Sequence, residues 1–162
     1  MSALQQIQMM FEYNYALYDQ VWESVMNLTD EQFTQDAPYA HGSVCDQLIH
    51  VAVVDTRWIR GLNGDPDART YTVDASAYPT RSAAHTFFQE AATNAKAYVA
   101  KLDEAALEAE KPGIPMPQWQ VLLHVANHGT DHRAQILRSL HDLGAPTFPQ
   151  DLIIYLWTKD KT

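Results

Sequence analysis

The stretch "HVANHGTDHR" sets His124, His128 and His132 four residues apart. In a helix such positions share one face, with a rise of ~6 Å between neighbours. Two imidazoles at that spacing can converge on one cation. His128 and His132 lie on the same side as Val121, Val125, Ile136 and Leu143. They therefore point toward apolar territory, where a ring must find a partner. A divalent metal satisfies both rings. The competing reading is a pair of core or interface histidines bonded to their neighbours.

Two ligands from one helix leave a metal shell incomplete. The best third candidate is His50, in "CDQLIHVAVVDTRW", whose flanking Val53 and Val54 give it an inward face. A shell of three histidines leaves positions open to water or substrate. His124 extends the array by a turn, and a role beside the site or at the mouth of a pocket suits it better than ligation; a satisfied bundle histidine is an equal alternative. His85 and His141 fall near helix surfaces and His41 in a loop, so each reads as structural or solvent-facing.

The groups that would move protons are less well marked. Asp46 lies one turn before His50, where it either orients a ligand or simply favours a helix N-terminus. Asp131 and Glu23 are weaker acid–base candidates, and Arg133 reads as a surface or interface salt bridge. Asn14, Tyr15 and Tyr18 either enter a cavity or pack with their polar tips bonded. Cys45 has no base at convincing spacing, and no HExxH, glycine-rich phosphate loop or dinucleotide fingerprint is present. Trp58 and Trp157 read as packing anchors. No catalytic residue is assigned from the sequence.

The elements that would carry these residues are helices. Leu4, Ile7, Met10, Phe11, Tyr15, Tyr18, Val21, Trp22 and Val25 recur at steps of three and four, predicting a helix over 3–27. Thr29 and Gln32 can cap a short turn. Ser43 opens a second helix that runs to about Arg60, followed by a loop rich in Gly, Asp and Pro. Thr80 caps a third helix from Arg81 to about Lys101; "DEAALEAE" adds a turn or two, and "KPGIPMP" stops it. The fourth runs from Gln118 to Leu143 and ends at Gly144, with a short closing helix over 150–157. Four amphipathic stripes predict an all-α, four-helix bundle forming a single domain over 1–162. The loop after residue 60 is long enough to cross the bundle end.

Composition narrows the partners. The net charge of −9 and the lack of a Lys/Arg run argue against recognition of nucleic-acid phosphates. One cysteine excludes an internal disulfide and suits a reducing compartment. The N-terminal stretch lacks a signal-like pattern and the apolar runs are too short for a membrane span, so a cytoplasmic protein is expected. Phe11, Tyr13, Tyr15, Tyr18 and Trp22 give the first helix apolar groups on more than one side. That predicts a homodimer; the alternative is that "DLIIYLW" covers the extra face within one chain.

The chain resembles the DinB/YfiT family through "HVANHGTDHRAQI", "LIHVAVVDTRWIRGLNG" and "FEYNYALYDQVWESVMNLT", in the expected order over nearly its whole length. The resemblance implies a bundle with up-down-down-up connectivity, often a homodimer. It implies that His50, His128 and His132 match the family's metal histidines, with zinc or nickel most suited and iron or manganese also compatible. Asp131 departs from a frequent family histidine, outside that triad. Relatives include thiol-dependent transferases, a mycothiol-dependent isomerase and proteins described as hydrolases. The expected function is thus metal-dependent thiol transfer or hydrolysis on a small molecule. The rival is a non-enzymatic, stress-related metal-binding protein.

Overall fold

The computed structural model describes residues 1–37 and 41–159. The chain opens with α1 (Ala3–Val25), whose N-terminus is closed by a capping box between Ser2 and Gln5. Thr29 and Gln32 form a second box for the single turn α2 (Asp30–Phe33). Ser43 and Asp46 form a third at the start of α3 (Val44–Leu62). α4 (Arg81–Ala100) starts at Thr80, whose hydroxyl accepts from the Ala83 amide. After the short α5 (Glu104–Glu108), α6 (Gln118–Asp142) begins behind Pro117 and ends in a Schellman turn. There the Ala145 amide donates to the Leu140 carbonyl, and Gly144 takes a φ of 79° that only glycine adopts cheaply. α7 (Leu152–Thr158) closes the described chain.

Among the described residues the four long helices form a ring in which α1 touches α4 and α6, and α3 touches the same two. The directions follow from contacts at their ends. Arg81, at the start of α4, donates to the Met26 and Leu28 carbonyls just after α1, so these helices are antiparallel. Ser24 donates to the Pro146 carbonyl, which sets the C-terminal ends of α1 and α6 together. His50 meets His132 while Trp58 meets His124, so α3 and α6 run oppositely. Cys45 lies at the Tyr78 carbonyl and the Tyr98 hydroxyl reaches the Leu62 carbonyl, so α3 and α4 are parallel. The order is up-down-down-up.

Parallel neighbours in sequence require a crossover. Residues 63–80 provide it, with 3-10 turns at Ala68–Thr70 and Ala75–Ala77 inside what the sequence marks only as a loop. The apolar stripes meet in one core that includes Tyr18, Trp22, Leu48, Phe88, Leu122 and Ile136. Burial of such side chains contributes ~1.5–3 kcal/mol each before chain entropy is counted.

The closing segment resolves the question of the aromatic first helix. Tyr13 is buried, with its ring edge-on to Tyr155 at 5.4 Å and its hydroxyl bonded to the Gln150 carbonyl. The second aromatic face of α1 is covered within the chain, so it supplies no argument for a dimer. Trp157, expected as a packing anchor, is instead 64% exposed, because Tyr155 occupies the inward face of this short helix. No helix among the described residues is long and apolar enough to cross a membrane.

Candidate metal centre

α3 and α6 bring His50, His128 and His132 to one point. Each offers a ring nitrogen, and the three nitrogens all lie within 4.8 Å of one another. Ring centroids are separated by 5.3 Å for His50 and His128, 4.8 Å for His50 and His132, and 4.5 Å for His128 and His132. The Nε2 atoms of His50 and His128 stand 3.3 Å apart. That is about the ~3.3 Å edge expected of a tetrahedron whose metal–nitrogen bonds are ~2.0–2.1 Å.

The electrostatics fit a cation. Burial, then the neighbouring His132 and His50, pushes His128 down to about 4. Burial, then His50, pushes His132 down to about 4. Burial lowers His50 too, with help from His41 and Arg57. The rings are therefore neutral at physiological pH, the state a metal ligand requires. His128 Nδ1 and His132 Nδ1 are buried with no hydrogen-bond partner among the described residues. The facing Nε2 atoms of His50 and His128 are the pair a shared cation would satisfy, and the Nδ1 atoms point away from that pair. The donor set fits a divalent metal.

The triad opens onto a cleft. His132 is buried, whereas His50 and His128 line a cleft of about 890 Å³. Its walls include Val54, Arg57 and Trp58 from α3, His124 from α6, and Ile114 and Met116 from the preceding loop. His124 sits edge-on to Trp58 at 5.4 Å and belongs to the cleft wall, as its spacing suggested.

Other candidates are placed elsewhere. Asp46 accepts from the Ser43 amide and hydroxyl, so it serves as a helix cap. Asp131 is exposed and accepts from Gln135, and Glu23 is exposed. Burial raises the Cys45 thiol to about 11, consistent with a structural cysteine. Tyr18 donates to the Gly129 carbonyl and Tyr15 to Asp55, so both pack with bonded tips. His85 stacks on Trp22 at 4.6 Å.

Two residues depart from the sequence reading. Arg133 is no surface salt bridge but fully buried, donating to Asn14 Oδ1 at 2.7 Å and Gln150 Oε1 at 3.0 Å, between the Tyr13 and Tyr18 rings. His41, expected to be structural or solvent-facing, is exposed as expected, and it also sits beside the triad, 5.6 Å from His132 and 6.4 Å from His50 between ring centroids. Nothing in its local spacing signals this, because the approach is made by the turn leading into α3.

The architecture and the histidine cluster define an all-α bundle of a kind that can hold a divalent metal between its second and last long helices. The family pattern described as "DinB family" matches residues 1–162, and the chain belongs to that family. No curated protein matches the sequence.

Proposed function

We propose that His50, His128 and His132 hold a divalent metal, zinc or nickel, and that the protein uses it to transfer a thiol to a small molecule. The observation that carries this reading is the opening of the triad into the cleft. A purely structural metal site would be closed on all sides. When bound, the metal supplies a Lewis acid that lowers the pKa of a thiol or water and stabilises developing charge.

The chain's own residues favour a thiol over water. Neither Asp46, which caps α3 with Ser43, nor Asp131 lines the cleft, so neither is placed as a base for hydrolysis there. A thiol, with an ordinary pKa of about 8.5, needs less help to ionise than water does. Trp58, Val54, Ile114 and Met116 give the cleft apolar walls that would exclude water around an apolar body. The proposal includes a cytoplasmic setting, supported by the single buried thiol of Cys45. It also includes a homodimer, for which the exposed Ile153, Ile154 and Trp157 on α7 are the supporting surface.

The test is metal analysis of protein purified without added metal or an affinity tag. His50→Ala, His128→Ala and His132→Ala are each expected to lose most of the metal, and His124→Ala to retain it. Full occupancy in the His50 variant overturns the triad.

A further inference from the structure

Along α3, His50, Val54, Arg57 and Gly61 succeed one another at steps of four, three and four, and all four line the cleft. This stripe runs from the triad along one wall. Arg57 lies seven residues beyond His50, an axial distance of ~10 Å. Its Nε donates to the Tyr71 carbonyl, which fixes the guanidinium, and it forms no ion pair with a carboxylate among the described residues. The neighbouring Arg60 is spent differently, on Asp65 at 2.6 Å and on the face of the Tyr71 ring. Asp65 is the cleft's carboxylate among the described residues, and it also accepts from the Asp67 amide. Arg69 stands exposed on the same cleft and forms no ion pair among the described residues.

A chain of net charge −9 has thus gathered at one apolar cleft two arginines that no carboxylate among the described residues compensates. A half-buried guanidinium without a counter-charge recognises a planar anion well, through paired N–H groups. Arg57 can neutralise one negative charge, and the walls between it and the triad are largely apolar. The geometry points to a substrate that is an amphipathic carboxylate: an apolar body spanning on the order of 10 Å, its carboxylate on Arg57 and its reacting end at the triad. The carboxylate half stands on the cleft alone, and the assignment of the other end rests on the metal reading given above.

Calorimetric titration separates the two halves. The probes are hexanoate, 6-mercaptohexanoate and the uncharged 6-mercapto-1-hexanol, each added to the metal-loaded protein and to the His50→Ala variant. 6-Mercaptohexanoate, which carries both groups, is expected to bind the wild type more tightly than either hexanoate or the alcohol. Arg57→Gln is expected to weaken the acids by about tenfold, as for loss of a charged hydrogen bond, and to leave the alcohol unchanged. Arg57→Lys should fall between, and it replaces Arg57→Gln if that variant fails to fold. Arg69→Gln should have a smaller effect because that side chain is exposed. Hexanoate should keep its dependence on Arg57 in the His50→Ala protein. If the thiol adds no affinity while hexanoate still depends on Arg57, the metal-bound thiol fails and the carboxylate site stands. Equal binding of 6-mercaptohexanoate and the alcohol, acid binding indifferent to Arg57, or no binding of either acid at millimolar concentration overturns the proposal.

Discussion

Asp55 offers a quantitative test of the packing between α1 and α3. It is buried, and its Oδ2 accepts from the Tyr15 hydroxyl at 2.8 Å. Its Oδ1 has no partner among the described residues. Burial raises its pKa from 3.8 to about 7, against a smaller opposing effect of the Tyr15 bond. The folded state thus holds this proton more tightly than the unfolded state. Stability from Asp55 is complete below pH 4, declines as pH rises, and stops declining above pH 7. At ~1.4 kcal/mol per unit, the whole change is about 4 kcal/mol, of which roughly 3 kcal/mol falls between pH 5 and pH 8. Asp55→Asn removes the titration while keeping the shape. The urea-unfolding free energy of Asp55→Asn minus that of wild type should therefore grow by that amount across the window, both proteins being measured in chelator. The difference is the proper readout because His128 and His132, with lowered pKa values, make stability fall toward acid in both proteins. A difference that stays flat, or widens toward acid, refutes the reasoning.

Gly129→Ala should destabilise by ~1–3 kcal/mol through overpacking, because an added Cβ would meet Asn14 Cγ at 2.9 Å; a shifted urea midpoint at constant slope is the expected result. Labelled duplex DNA should show no submicromolar binding that survives physiological salt, given the net charge of −9; fluorescence anisotropy checks this. Sedimentation equilibrium in reducing buffer should give a mass near twice 18.3 kDa, and Trp157→Ser should shift it toward the monomer.

The fold was largely legible because its signals are local. Ser2, Thr29, Ser43 and Thr80 each bond the start of a helix, and Gly144 ends one, so most helix boundaries lay within a residue or two of their predicted places. Direction was less legible. The apolar stripes require a bundle, but apart from the family resemblance only a crossover as long as residues 63–80 hints that α3 and α4 run parallel. For the site, the step of four from His128 to His132 and the inward face of His50 were enough to name the cluster. His41 was not accessible to the same reasoning, since a loop residue has no periodicity from which to infer a neighbour. Arg133 misled for a related reason. An arginine beside a polar stripe is more often solvated than buried, and nothing local shows that Asn14, Gln150 and two tyrosine rings enclose it.

Arg133 and Gly129 nevertheless explain why the triad can form. On a helix each lies about 100° from the preceding residue, so they stand to one side of His132 and His128. That side faces α1. Gly129 brings the α6 backbone close enough for its carbonyl to accept from Tyr18, and for Asn14 to pack where a Cβ would stand. Arg133 then donates to the side-chain oxygen of the same asparagine and, through Gln150, ties down the segment leading to α7. These contacts fix the rotation of α6 about its axis. A turn of a few tens of degrees would carry His128 and His132 away from His50 and bring Arg133 toward the apolar core. The polar cluster between α1 and α6 therefore positions the histidines between α3 and α6 without touching their ring nitrogens. The two sequence features that looked unrelated, a small residue after one histidine and an arginine after the next, are the two sides of one constraint.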